Sequence, residues 1–239
     1  MKKTVLLTAL LSFAVTAFAA GEPFAAWNFD KAANNIVPPA AGKWSLKLQN
    51  TANIKNVEGK SGQAVVFLGK DKERRTVGGA SSANFAFDCS KPFTVEAVFK
   101  LNADAGYRNF KEIFCFSDGE RGPGLRVFIF YNAVVMRSGD GKSHLDVVTN
   151  STRTAIAKDK WHLLTLTYDG KTASIYLNGT LAARKEVVIT KGKYNTLFVG
   201  SFRNAYAYAL QGAIDELKFY NYAKTAAETA EAYLAAFED

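Results

Sequence analysis

Catalysis needs groups that move protons, attack carbon or hold metal, and few of the 239 residues stand in patterns that do so. Only two histidines occur, His144 and His162. His162 falls on the apolar alternation of its segment, which suits a packed, satisfied imidazole. No Cys/His cluster has zinc spacing, and no nucleophile elbow, P-loop or dinucleotide fingerprint is present. Glycoside hydrolysis needs two carboxyl groups flanking one bond, about 5–5.5 Å apart for retention and about 6.5–9.5 Å for inversion. Glu96 has Val98, not a carboxylate, two residues on. Asp215 and Glu216 are adjacent, so a regular strand would turn them to opposite faces. No catalytic residue is assigned.

Binding without chemistry uses aromatic faces and planar polar groups on loops. Two stretches have that composition. One is Tyr107-Arg108-Asn109. The other runs through Arg203, Asn204, Tyr206 and Tyr208. Tyrosine faces stack on sugar rings, while Arg and Asn bond to hydroxyls. The alternative is that Tyr206 and Tyr208 pack on a helix at the C-terminus.

Strands must position these loops. Residues 161–179 alternate around Asp169-Gly170, a dipeptide suited to a type I′ hairpin turn. A two-residue loop pairs Tyr168 with Lys171, Leu166 with Ala173, Leu164 with Ile175 and His162 with Leu177, giving one mostly apolar face. Asn178-Gly179 is a second turn of the same kind. Strands are also expected over 24–30, 62–68, 93–99, 113–116, 125–131, 134–137, 144–149 and 195–201. Residues 71–82 read as a polar surface loop, and 101–110 as a hairpin loop. Between Ile214 and Leu217 the apolar phase changes, and a β-bulge at Asp215-Glu216 keeps Ile214, Leu217 and Phe219 on one side. Thr225 and Glu228 form a capping box for a terminal helix, with Ala226, Ala230, Tyr233, Leu234 and Phe237 as its buried stripe. The class is all-β, an antiparallel jelly-roll sandwich closed by a short α-helix.

The segment Trp161–Gly179, with its Tyr168-Asp169-Gly170 and Tyr176-Leu177-Asn178-Gly179, resembles a signature of the laminin G-like jelly rolls in the concanavalin A-like superfamily. So do Gly212-Ala213-Ile214-Asp215-Glu216-Leu217 with Tyr220-Asn221, Ala26-Trp27-Asn28-Phe29-Asp30, the stretch from Gly59 through Gly62 to Phe67, and Phe93-Thr94-Val95-Glu96-Ala97. Val98 stands where that family usually has Trp. The resemblance implies the sandwich, not a ligand, since the fold carries lectins, adhesion modules and enzymes. The related glucanases use an E-x-D-x-E string, which is lacking here, and the related lyases' Tyr with His, Arg or Lys is not visible on one strand. The resemblance also implies one structural calcium ion, at Asp30, Gly69 and Asp215. The alternative is that Asp215 caps backbone amides at the bulge.

The first nineteen residues have the form of a secretory signal peptide: Lys2 and Lys3, an apolar run, and Ala17-Phe18-Ala19 before the cut. Residues 20–239 are then one exported sandwich domain, secreted or periplasmic. The net charge is +8, two units of which belong to Lys2 and Lys3. The remainder is scattered, with basic runs at 70–75 and 191–193 that are either solvated loops or attractors of acidic glycans. Nucleic acid is not an expected partner, and no segment has the apolar length of a membrane span. Cys89 and Cys115 are the only cysteines. An oxidising compartment permits a bridge between them, provided the chain folds back at Lys91-Pro92.

These readings favour an exported non-catalytic module that binds a glycan or glycosylated surface. A structural or adhesion module binding a protein partner is the second reading. A glycan-cleaving hydrolase or lyase is the third.

Overall fold

A computed structural model describes residues 21–69, 77–150, 152–153, 155–203, 205 and 207–238. The segment expected to be a signal peptide lies outside them, as do the basic run 70–75 and the site candidates Asn204 and Tyr206. The described strands are, in chain order, β1 (Ala25–Trp27), β2 (Ile36–Val37), β3 (Leu46–Gln49), β4 (Ile54–Glu58), β5 (Gln63–Phe67) and β6 (Gly79–Ser82). Then come β7 (Phe93–Leu101), β8 (Lys111–Ser117), β9 (Gly124–Phe130), β10 (Ala133–Gly139) and β11 (His144–Val148). The last are β12 (Trp161–Tyr168), β13 (Thr172–Leu177), β14 (Thr180–Glu186), β15 (Leu197–Val199) and β16 (Gly212–Tyr220), before the helix α1 (Ala226–Phe237).

All the pairings are antiparallel and make two sheets. The first runs β14-β13-β12-β7-β16-β5-β4, with β1 also on β16; the second runs β11-β10-β9-β8-β15-β6-β3-β2. This is an all-β, jelly-roll-like sandwich with a single C-terminal helix among the described residues. Alternation decides which side chains enter the core. Phe93, Val95, Ala97 and Phe99 of β7 point between the sheets, as do Val127 and Ile129 of β9. Phe85 is fully buried at the centre, with the rings of Phe24, Trp27, Trp44, Phe87, Phe116 and Phe219 at 5.1–6.1 Å.

The bulge forms where the apolar phase shifts. Ile214 pairs with Phe99 and Glu216 with Val98, which leaves Asp215 as the extra residue. Ile214, Leu217 and Phe219 are all fully buried. The Asn178-Gly179 turn also forms, both residues having positive φ. The capping box is complete: Glu228 N–H donates to Thr225 Oγ1, and Thr225 N–H to Glu228 Oε2.

Four expectations need correction. The β12–β13 hairpin is slipped by two residues, with Tyr168 opposite Ala173, Leu166 opposite Ile175 and Leu164 opposite Leu177. Asp169 makes the loop longer by accepting the N–H groups of Lys171 and Thr172 on its own Oδ1. That Asx arrangement competes with a type I′ turn. A two-residue slip leaves every side chain on its original face, because the strand period is two. Next, part of the supposed surface loop, Gly79–Ser82, is the buried strand β6 between β15 and β3. A Cβ on Gly79 would overlap Ser201 Oγ, which would have to turn away, and would press on Ala205. Residues 102–110 are not a hairpin loop: β7 and β8 belong to different sheets, so the segment crosses from one to the other. Finally, Leu234 and Ala226 of α1 are exposed, and Thr229 is the one fully buried residue of the helix. The helix therefore rests on its sheet more lightly than an apolar stripe implies.

Cys89 and Cys115 are free and buried. Cys89 belongs to the core between the sheets, whereas Cys115 faces outward from β8 against Phe198 and Phe202. A sheet thus separates them, and no bridge joins them. Burial pushes the Cys89 thiol up to about 12 and Cys115 higher still. In the absence of reductant, folded protein is expected to show no fast-reacting thiol towards Ellman's reagent, and denatured protein to show two. Denatured chains without thiol would contradict the separation.

His162 is buried beside Phe99. Its Nε2 meets Ala157 O at 3.0 Å and its Nδ1 meets Asn178 Nδ2 at 3.2 Å. A neutral ring with its proton on Nε2 satisfies both contacts. Burial lowers the pKa of this imidazole. As pH falls through about 6.5, the unfolded chain takes up a proton that the folded chain refuses. The contribution of His162 is therefore full above that pH and lost below it. Urea unfolding of wild type minus that of His162→Gln should give a stability difference that is flat above about pH 7 and falls below about 6.5. A difference that stays level down to about pH 5 would contradict the burial.

Candidate functional site

The outer side of the second sheet carries a dense cluster of aromatic side chains. Even-numbered residues of β9 point away from the core, which puts Arg126, Phe128 and Phe130 in a row. Such a row needs cover. The crossover 102–110 supplies Phe110, and the loop after β15 supplies Phe202 and Tyr208. Phe110 is the hub, at 4.9 Å from Phe128, 4.8 Å from Phe130 and 5.1 Å from Tyr208.

Two guanidinium groups are threaded through these rings. Arg126 is 1% exposed and grips Glu112 with two bonds, Nε to Oε1 at 2.9 Å and Nη2 to Oε2 at 2.7 Å. Phe202 stacks over that guanidinium at 4.3 Å. A buried pair of this kind gains its attraction against a large desolvation cost, so its firm result is fixed orientation. Arg137 on β10 makes the same fork with Asp146 on β11, both bonds 2.8 Å, and its plane lies 5.1 Å from the Phe128 ring. This second pair is only partly covered.

Between these groups lies a groove of 340 Å³, with Phe110, Phe130 and Tyr131 on one side and Arg137, Asp146 and Val148 on the other. Tyr131 is half exposed at 50%, and its ring meets that of Phe130 edge to face at 4.5 Å. Tyr131 and Asn132 both have positive φ, as the tight β9–β10 turn needs. That turn lifts the Tyr131 ring to the rim.

Of the candidates read from sequence, Tyr107 lies beside the groove: its carbonyl accepts the Tyr131 N–H, and Lys158 Nζ sits 4.5 Å over its ring. Arg108 and Asn109 are exposed on the same crossover. Tyr208 is half-buried against Phe110 and Phe202, not against α1, and its hydroxyl donates to Glu120. Burial and Glu120 push that phenol up to about 12. Arg203 points elsewhere, over the Tyr194 ring at 6.0 Å. Phe110, Phe128, Phe130, Tyr131, Arg137 and Asp146 escaped the sequence reading. The signal for two of them, Phe128 and Phe130, was their alternate spacing with Arg126 on one strand face.

The three positions suggested for calcium are not gathered at one point. Asp215 Oδ2 accepts the N–H groups of Lys60 and Ser61 at 2.7 and 2.8 Å, and Asp30 Oδ1 accepts that of Gln63 at 2.8 Å. Both carboxylates thus hold the β4–β5 turn. Gly69 lies beyond the other end of β5, about 20 Å from Gln63 at ~3.3 Å per residue. Among the described residues there is no group of three or more His, Cys, Asp or Glu side chains placed to hold a metal ion. Calcium at these three positions together does not fit this arrangement.

Comparison with known proteins bears on the whole frame. Residues 74–230 match the family Laminin_G_3, described as the concanavalin A-like lectin/glucanases superfamily. Curated protein sequences give no match. Among solved structures, the binding domain of botulinum neurotoxin DC in complex with rat synaptotagmin II superposes with a TM-score of 0.70 at 12% identity, over 91% of this chain and 52% of that one. The same toxin's binding domain in complex with SialylT gives 0.70 at 12%, again over 91% and 52%. The binding domain of Paraclostridial Mosquitocidal Protein 1 gives 0.64 at 16%, over 90% and 52%. This chain therefore spans about half of each of those chains, and at such identities the likeness is one of fold. Through residues 74–230 and the sandwich they build, the chain belongs to the concanavalin A-like lectin/glucanases superfamily.

Proposed function

We propose that this domain is an exported, non-catalytic binding module whose ligand is a glycan or glycosylated surface, held in the groove beside Tyr131. The observation that carries the reading is an exposed aromatic face placed against a partly solvated, bidentate Arg137–Asp146 pair. Apolar sugar faces stack on aromatic rings, and a rigid guanidinium–carboxylate pair offers both donors and acceptors to hydroxyls. Tyr107, Arg108 and Asn109 extend the rim, and Tyr208 packs on Phe110. A structurally similar toxin domain is described in complex with SialylT. Glu96, the carboxylate most open to a catalytic reading, has both oxygens engaged, by Tyr220 Oη and Lys224 Nζ. No described helix is long and apolar enough to cross a membrane.

One observation favours a protein partner as the second reading. The terminal strand β11 leaves Leu145 and Val148 about half exposed, at 49% and 51%, beside the groove. A similar toxin domain is described in complex with synaptotagmin II.

A glycan array on the mature chain separates the readings. Tyr131→Ala and Arg137→Leu are each expected to weaken sugar binding about tenfold or more, equivalent to roughly 1.4 kcal/mol. Leu181→Ser, on β14 of the other sheet, should leave binding unchanged. Arg108→Ala is expected to weaken sugar binding from the crossover side, and Tyr206→Ala tests the aromatic stretch read from sequence. Sugar binding indifferent to Tyr131→Ala would remove the groove. Binding to a protein alone would favour the second reading, and polysaccharide turnover lost on Glu96→Gln would establish an enzyme.

A further inference from the structure

The outer side of the first sheet, across the core from the groove, holds a second concavity. Helix α1 touches this sheet near the Asn178-Gly179 turn, where a Cβ on Gly179 would meet Tyr233 and Ala230 at 3.1–3.3 Å. Further along, it stands away. Ala232, Ala235 and Ala236 roof a pocket of 680 Å³ whose floor includes Glu96, Asp215 and Lys224. Alanine explains the gap, since larger residues at these positions would pack the helix onto the sheet. The volume lies within the range of about 300–1,000 Å³ usual for small-molecule sites.

Several polar groups of the pocket are paired with one another. Lys224 Nζ donates to Glu96 Oε1 at 2.7 Å, and Tyr220 Oη donates to Oε2 at 2.9 Å. Lys218 Nζ donates to Glu216 at 2.6 Å. Glu228 is engaged by the Thr225 N–H of the capping box. Asp215 is 1% exposed, and its Oδ2 is used by the Lys60 and Ser61 amides. Asp215 lines the pocket, and its Oδ1 is buried and meets no donor. A buried acceptor without a donor is costly, and more so when it is charged. Burial, with Glu216 and Asp30 nearby, pushes the Asp215 carboxyl up to about 6, as befits an anion lacking its counter-charge. The lining as a whole has five carboxylates against three ammonium groups.

We propose that this pocket binds a small organic ammonium ion, which donates an N–H to Asp215 Oδ1 and lays its carbon chain along the alanine face of α1. A metal ion is the weaker fit, because the described residues offer no cluster of three metal-binding side chains. A neutral polyol would satisfy the orphaned oxygen but leave the excess negative charge. The inference does not depend on the groove, which lies on the opposite sheet.

The test is thermal unfolding of the mature chain with 1,4-diaminobutane as probe and 1,4-butanediol as its uncharged counterpart. At about five times its Kd, the diamine is expected to raise Tm by about 2–4 °C, and the diol to leave it unchanged. Asp215→Asn and Ala232→Trp should each abolish the shift, the first by removing the charge and the second by filling the pocket. If Asp215→Asn fails to fold, Ala232→Trp, a change on the helix surface, decides alone. No shift up to about 10 mM diamine would overturn the proposal. So would a shift that survives both substitutions, or one produced by calcium chloride and not by the diamine.

Discussion

One extra residue in the closing strand separates the interior of this protein from its outward chemistry. A strand shows alternate faces, and β16 must bury Ile214, Leu217 and Phe219 against two neighbours at once. Without Asp215 the order Ile214-Glu216-Leu217 already alternates correctly. Asp215 is therefore an insertion whose side chain leaves the ladder and fastens the β4–β5 turn through the Lys60 and Ser61 amides. Around that point β16 still joins β7, β5 and β1, and Phe219 reaches Phe85, Phe87 and Trp27 in the core. The inserted carboxylate is thus tied to backbone through one oxygen and buried without a donor at the other.

The two outer faces differ in chemistry because their strands were released from core duty in different ways. On the second sheet the outward residues of β9 are Arg126, Phe128 and Phe130, and they are roofed by aromatic residues from two loops. The Arg126–Glu112 fork sits under that roof as a fixed strut, and the Arg137–Asp146 fork stands at its open end. On the first sheet the outward residues of β7 and β16 are Glu96, Glu216, Lys218 and Tyr220, and a helix with small side chains hovers over them. The proposed glycan belongs to the face of the second sheet, and the proposed ammonium ion to that of the first.

Much of the frame was legible because its signals are local. The phase change at Ile214–Leu217, the Asn178-Gly179 turn and the Thr225–Glu228 box each lie within a few residues, and each formed as expected. The Asp169-Gly170 hairpin shows the limit of local reading: its faces were correct but its partners were off by two, since side-chain period cannot distinguish registers two apart. The sheet membership of β8 and the strand at Gly79–Ser82 depend on contacts distant in sequence, such as Gly79 against Ser201. The groove was hidden for the same reason. Phe110, Tyr131 and Asp146 come from three separate segments, and only their meeting gives them meaning. Tyr107 and Tyr208 were singled out because they lie in loops of unusual composition, and Tyr208 packs as roof on Phe110 and Phe202.

Deleting Asp215 and recording amide and methyl NMR spectra tests the separation of inside from outside most directly. The account expects the methyl resonances of Val95, Ile214 and Leu217 to hold their positions, because the shortened strand keeps the core phase. The Lys60 and Ser61 amides should shift and lose their protection from hydrogen exchange. Loss of dispersed methyl signals, with those two amides unmoved, would show that the extra residue serves the core and that the account is wrong.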